Sequence, residues 1–114
     1  MVDGFYRIAF TGNHGSGFGM LVLRDGVAAG ADVAGATYDG TYEVAESGST
    51  LVLRVTMRAP AGLVPVQTGI PLPVPADMPI SATLPIDLAA GSPTLLETSL
   101  GKVNVSFSKI RDFD

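Results

Sequence analysis

The chain has 114 residues and a formal net charge of −4, and it is expected to form one domain, since domains commonly contain about 100–150 residues. It has no cysteine, which excludes disulfides, thiolate metal sites and thiol catalysis. Its seven lysines and arginines are dispersed along the chain, so it lacks the basic footprint that direct binding of nucleic acid requires.

The beginning of the chain, MVDGFYRIAF, has no basic segment followed by a long apolar one, as a secretion signal would have. None of the apolar runs in the sequence approaches the roughly 18 residues of a membrane-spanning helix. We therefore expect a soluble cytoplasmic protein without a membrane partner.

Apolar residues alternate at period two through the first half of the chain, and this predicts β-strands. The predicted strands are 5–11, 17–24, 27–33, 36–44 and 50–58. The second strand contains FGMLVLR (18–24), which is apolar on both faces and therefore predicts a strand that is covered on both sides or lies in an interface. Asp25-Gly26 predicts a tight type I′ hairpin turn after it.

The second half of the chain adds a last pair of strands at 94–99 and 102–110, and no segment predicts a convincing helix. The strands follow one another at short spacing, so the fold class is an all-β antiparallel meander that curls into a barrel or a sandwich. Residues 60–85 interrupt it with seven of the eight prolines, which cannot donate to a sheet ladder. This segment is expected to cross over the barrel or to lie at an interface, with an edge strand near 80–88.

The glycine-rich segment GNHGSGFG (12–19) contains His14, the only histidine. Phosphate-binding loops of this kind lead into a helix, whereas this one leads into a strand, so no phosphate site is predicted. A single histidine excludes a multi-histidine metal site, and no GxSxG motif supplies a nucleophilic serine. His14 is therefore expected at an exposed loop tip.

The acidic side chains, like His14, do not indicate a catalytic site. Asp39 and Glu43 have the strand parity assigned to the outer face, where a carboxylate is ordinarily solvated. An esterase or isomerase that uses Asp32, Tyr38 or His14 is a third hypothesis, and the sequence disfavours it. We predict a protein with no catalytic residue, no metal site and no cofactor.

Four short motifs in the first half of the chain are spaced as in a known family. DGFYRIAF is followed by GFGMLVLRDG, AGAD and YDGTYEV, which gives D-G-x-Y-x-x-x-F, G-x-G before an apolar strand, G-x-D and Y-x-G-x-Y. This pattern resembles the GrlR-like family of bacterial negative regulators of type III secretion gene expression. The resemblance covers residues 3–58 and continues in outline through TLLETSLGKVNVSFSKI.

The resemblance implies an eight-stranded antiparallel barrel, lipocalin-like in outline, that is usually a homodimer. It also implies a function without chemistry, in which the protein sequesters a transcriptional activator. Members of the family can carry a run of acidic residues for partner contact in the loop after the Y-x-G strand. Here that loop reads EVAESGST, so Glu43 and Glu46 are the candidate partner-binding residues.

The alternative function is binding of a small apolar molecule inside the barrel, since an eight-stranded barrel is either filled by side chains or holds one small ligand. A ligand site predicts an interior cavity of about 300 Å³ or more. The candidate interior residues, which serve either as core or as ligand contacts, are Tyr6, Ile8, Phe10, Tyr42, Leu53, Val55, Val105 and Phe107.

Overall fold

The computed structural model describes residues 2–88 and 93–113, and all regular structure in these residues is β. The eight strands are β1 (Gly4–Gly12), β2 (Gly15–Arg24), β3 (Val27–Asp32), β4 (Thr37–Val44), β5 (Thr50–Ala59), β6 (Ala76–Pro85), β7 (Thr94–Thr98) and β8 (Gly101–Arg111). No helix that could span a membrane occurs within 2–88 or 93–113.

The strands form one antiparallel sheet in the order β6-β5-β4-β3-β2-β1-β8-β7. The two edge strands, β6 and β7, approach each other, so the sheet curls into a nearly closed barrel. The predicted all-β, eight-stranded antiparallel barrel is therefore confirmed, and a two-sheet sandwich is excluded. Inward and outward side chains alternate along each strand, as the pleat requires.

Seven of the predicted strands agree with the observed ones to within two residues at each end. The edge strand expected near 80–88 instead spans Ala76–Pro85, so the crossing segment is 60–75 and not 60–85. This strand includes Pro79, which is paired with Thr56 of β5. Proline is tolerated there because an edge strand has one side without a ladder partner.

The predicted turn between β2 and β3 is confirmed by its backbone angles. Asp25 has a φ of 50° and Gly26 a φ of 81°, and a type I′ turn needs positive φ at both of these central positions. The turn sets the register in which Arg24 pairs with Val27 and Leu23 with Ala28.

The barrel has two unlike ends. One end, which we call the closed end, carries the β2–β3 and β4–β5 turns and both termini of the described chain. The other end carries the β1–β2, β3–β4 and β7–β8 turns, and we call it the strap end after the segment that lies there. Residues 60–75, which we call the strap, also lie at the strap end because β5 finishes there and β6 starts there.

Packing is densest at the closed end, where the side chains of Leu23, Leu51 and Leu84 are fully buried. Leu88, in the segment after β6, belongs to the same apolar cluster. A smaller cluster lies at the strap end, where Leu63 of the strap packs with Ala36 and Ala59.

Inward-facing glycines allow neighbouring strands to approach closely. A Cβ atom on Gly40 would lie 1.9 Å from the carbonyl oxygen of Arg54, and one on Gly30 would lie 2.1 Å from that of Met20. Both contacts are with the backbone of the paired strand, so any side chain at these positions would push the strands apart. Glycine is thus required where the backbones of paired strands approach this closely.

Candidate functional site

Two of the eight candidate interior residues, Tyr6 and Tyr42, lie at the closed end and form hydrogen bonds with residues that precede β1. The Tyr6 hydroxyl donates to the carbonyl oxygen of Val2, and the Tyr42 hydroxyl donates to the carboxylate of Asp3. Burial, together with the hydrogen bond to Asp3, raises the pKa of Tyr42 to about 12. These two tyrosines are therefore core residues and do not line the cavity described next.

The other six candidates surround a cavity in the half of the barrel nearer the strap. The six are Ile8, Phe10, Leu53, Val55, Val105 and Phe107. The cavity has a volume of about 180 Å³ and almost entirely apolar walls. Its volume falls below the roughly 300 Å³ at which sites for drug-sized ligands begin. The cavity is large enough for one ring-sized molecule, because an apolar cavity of about 150 Å³ can bind benzene.

The strap covers this cavity, and residues Leu63 to Gln67 form part of its wall. Two hydrogen bonds hold the strap to the barrel. The His14 amide donates to the Val66 carbonyl at 2.8 Å, and Gln67 Nε2 donates to Thr98 Oγ1 at 3.2 Å. The strap is thus attached to the β1–β2 turn on one side and to β7 on the other.

The glycine-rich segment that begins at Gly12 has a role that its sequence did not indicate. A Cβ atom on Gly12 would lie 2.5 Å from the Val66 carbonyl oxygen, so this glycine gives the strap room to approach. His14 is exposed in the β1–β2 turn, as predicted, and its side chain lies against Gly69 of the strap. The residue therefore contributes its backbone amide to the strap, and its imidazole remains at the surface.

One polar pair, Asp32 and Tyr38, faces the cavity from β3 and β4. The Tyr38 hydroxyl donates to Asp32 Oδ2 at 2.6 Å, while Asp32 Oδ1 accepts the amides of Ala34 at 3.0 Å and Ala36 at 3.1 Å. Burial, and then the neighbouring carboxylate, raise the pKa of Tyr38 well above its usual range, so the phenol stays protonated. The pair can therefore recognise a ligand by hydrogen bonding.

The strand pattern puts Tyr38 on the same apolar face of β4 as Tyr42, so the sequence already predicts an interior aromatic residue there. The sequence indicates Asp32 only as a candidate acidic residue for catalysis, and its position opposite Gly19 in the register of β2 and β3 is the signal that could have placed it at the cavity wall. His14, the third residue of the enzymatic hypothesis, does not line the cavity. Within residues 2–88 and 93–113 no three His, Cys, Asp or Glu side chains are grouped as metal ligands would be.

The candidate partner-binding residues lie near the closed end. Glu43 projects from the outer face of β4, where its register partner on β5 is Val52, and Glu46 lies in the turn that follows β4. Both are exposed. They do not extend into a longer acidic run, so they offer a partner two separate carboxylates.

A second feature is a shallow apolar groove on the outside of β1, β2, β3 and β8. Phe18 is 56% exposed there, Met20 45% and Ile110 55%, which is unusual for such large apolar side chains. The groove is also lined by Phe5, Val22, Ala31 and Val33, with Arg7 and Asp32 as its charged residues. We call this surface the outer apolar face.

No protein-family model matches this chain, and no curated protein matches it.

Proposed function

We propose that this protein is a non-enzymatic, cytoplasmic regulatory protein that acts by binding another protein. The observation that carries the association part of this proposal, a dimer of the chain with itself, is the outer apolar face. Contiguous exposed apolar patches often mark an interaction site. Phe5, Phe18 and Met20 of this face are also of the residue types enriched at protein interfaces.

The sequence of β2 supports the same proposal. Its inward positions hold Leu21 and Leu23, which the core requires. Its outward positions hold Phe18, Met20 and Val22, which the core does not use. Since burial of apolar surface is the main driving force for association, we expect these outward side chains to be covered in the functional state.

The first occupant that we propose for this face is a second copy of the chain. In a two-fold symmetric dimer the same face meets itself, so an apolar groove meets an apolar groove. The homodimer that the GrlR-like resemblance implies is compatible with this arrangement.

The activity we propose for the dimer is sequestration of a transcriptional activator, as the same resemblance implies. Glu43 and Glu46 do not line the outer apolar face, so a dimer formed through that face leaves both exposed to a further protein. Because the basic residues are dispersed, the regulation would act on the activator and not on DNA.

The oligomeric state tests the proposed dimer. Phe18→Ser combined with Met20→Ser should shift the protein from dimer to monomer in light scattering coupled to gel filtration. Val44→Ser is the matched control, because Val44 is exposed but lies outside the groove. A wild-type monomer at high micromolar concentration, or an equal shift in the control, would contradict the proposed dimer.

Sequestration of an activator requires a separate test. Tagged protein should recover a transcription factor from its own cells, and Glu43→Lys with Glu46→Lys should reduce that recovery without changing the oligomeric state. If no transcription factor is recovered, the regulatory function fails even if the dimer stands.

The cavity favours a second function, which is binding of a small apolar molecule. Its walls are mainly apolar side chains, the strap covers part of it, and one hydrogen-bonding pair faces into it. This combination is typical of small-molecule sites. Native mass spectrometry of the purified protein tests it, since a bound molecule from the cell would appear as an additional mass.

A further inference from the structure

We infer that the cavity selects a neutral, ring-sized molecule with one hydrogen-bond donor, and that Asp32 receives this donor. The inference rests on the proposed ligand-binding function and does not depend on the protein-binding function. Three properties of the cavity carry it: its volume, the charges around it and the hydrogen bonds already made by Asp32.

The volume limits the ligand to one ring. A cavity of about 180 Å³ is slightly larger than one that accommodates benzene, so it leaves space for one or two further heavy atoms. The apolar part of the ligand would lie against Ile8, Leu53 and Val55.

The charges exclude an anion. Among residues 2–88 and 93–113, no lysine, arginine or histidine lines the cavity, and the ionisable side chains of its walls are Asp32 and Tyr38. A carboxylate ligand would lose its hydration without gaining a cationic partner, and it would also be repelled by Asp32. A neutral molecule incurs neither cost.

The hydrogen bonds of Asp32 leave room for one donor. A carboxylate offers about four acceptor positions, and the amides of Ala34 and Ala36 and the hydroxyl of Tyr38 occupy three. Asp32 is half-buried at the end of β3, close to the strap end of the cavity. A ligand hydroxyl or ring N–H could therefore reach it while the ring occupies the apolar interior.

Three probes of nearly equal size test this selectivity on the whole protein: benzyl alcohol, toluene and benzoate. Benzyl alcohol has the donor, toluene lacks it, and benzoate is an anion. We expect benzyl alcohol to bind about tenfold more tightly than toluene, because a hydrogen bond to a charged acceptor contributes that much, and benzoate to bind more weakly than both. The dissociation constants come from NMR titration.

The methyl signals locate the bound probe. Shifts at Ile8, Leu53 and Val55 report on the cavity, and shifts at Met20, Val22 and Ile110 report on the outer apolar face. Binding confined to the outer signals would overturn the inference. If neither toluene nor benzyl alcohol shifts the interior signals, the ligand-binding function fails as well. If all three probes bind equally inside, the function stands and the selectivity is wrong.

Two variants assign the selectivity to Asp32. Asp32→Asn keeps an oxygen for the amides of Ala34 and Ala36 but removes the charge, so the advantage of benzyl alcohol over toluene should fall below about threefold. An unchanged advantage would exclude Asp32 as the acceptor. Val105→Phe should fill the cavity and abolish interior binding, whereas Val27→Phe, on an exposed side chain, should leave it intact.

Discussion

The closed end and the strap end of the barrel are built from the same eight strands but are filled in different ways. At the closed end the side chains of Leu23 in β2, Leu51 in β5 and Leu84 in β6 are fully buried. At the strap end the same strands surround a cavity, and a proline-rich segment closes it from above. Strand pairing is similar at both ends, so it does not decide whether a barrel is filled or hollow.

The difference arises from which residues cover each end. The closed end is covered by side chains from the strands themselves and by Leu88. The strap end is covered by the strap, whose Leu63 packs with Ala36 and Ala59 and whose residues Leu63 to Gln67 line the cavity. Inward-facing Gly17 also supplies no side chain to the cavity. Stability is therefore expected to be concentrated at the closed end, and ligand capacity at the strap end.

Replacement of a leucine by alanine at each end should test this difference in packing most clearly. Leu51→Ala removes a fully buried side chain at the closed end and should lower the free energy of unfolding by about 4 kcal/mol. Leu96→Ala, on a half-buried residue that lines the cavity, should lower it by about 1 kcal/mol. Urea denaturation measures both, and equal losses would show that the ends are equally packed.

Two glycines provide the next largest contrast. Gly40→Ala places a Cβ against the β5 backbone and should lower the free energy of unfolding by about 3 kcal/mol. Gly17→Ala places its Cβ 2.7 Å from the ring of Phe10, which borders the cavity and can move into it. Its cost should stay below about 1 kcal/mol. Thermal denaturation of the two variants checks this, and a larger cost for Gly17→Ala would mean that Phe10 cannot move.

The tyrosine at the closed end predicts a dependence on pH. Because the pKa of Tyr42 is raised from 10.0 to about 12, folding favours its neutral form. Its contribution is fully present below pH 10 and is lost as the pH rises from there towards 12. Because solvent screens the exposed part of this hydroxyl, wild type should lose about 1 kcal/mol more than Tyr42→Phe between pH 8 and about 11.5. Parallel urea curves at several pH values test this, and identical losses would refute it.

The smallest expected effect is that of His14→Ala. The hydrogen bond of this residue to the strap runs through its backbone amide, and its nearest side-chain atom to Gly69 is Cβ; alanine retains both. The free energy of unfolding should change by less than about 0.5 kcal/mol, as for most exposed positions. Gly12→Ala is the informative companion, since its Cβ would displace the strap and should weaken binding of a cavity probe. A large effect of His14→Ala would give the imidazole a role that its exposure does not suggest.

Local pattern was sufficient for most of the fold. Alternation located seven strands, and Asp25-Gly26 indicated the turn that sets the register of β2 and β3. The sixth strand was misplaced because prolines obscure alternation, and an edge position, which makes Pro79 acceptable, cannot be recognised from local sequence. The sequence showed that residues 18–24 are apolar on both faces of the strand. Which of the two faces remains exposed depends on the other strands.

The candidate site was only partly predictable for the same reason. Ile8, Leu53 and Val55 have the parity of interior residues, and so do Tyr6 and Tyr42, so parity cannot separate cavity walls from packed core. Whether an inward-facing residue lines the cavity or packs in the core depends on how far along the barrel axis it lies. That position follows from the stagger of neighbouring strands. Asp32 and Tyr38 meet only because β3 and β4 bring them together across a turn.

By itself the sequence determined that this protein is a small antiparallel β-domain, a barrel or a sandwich, because the alternation of apolar residues and the chemistry of turns act over a few neighbouring residues. Tertiary structure alone decided that the strap covers one end, that a cavity remains beneath it, and that an apolar face is left outside. Those features depend on contacts between segments far apart in the chain, such as Val66 with the β1–β2 turn. Packing between such segments is set by the whole fold and leaves no local signature in the sequence.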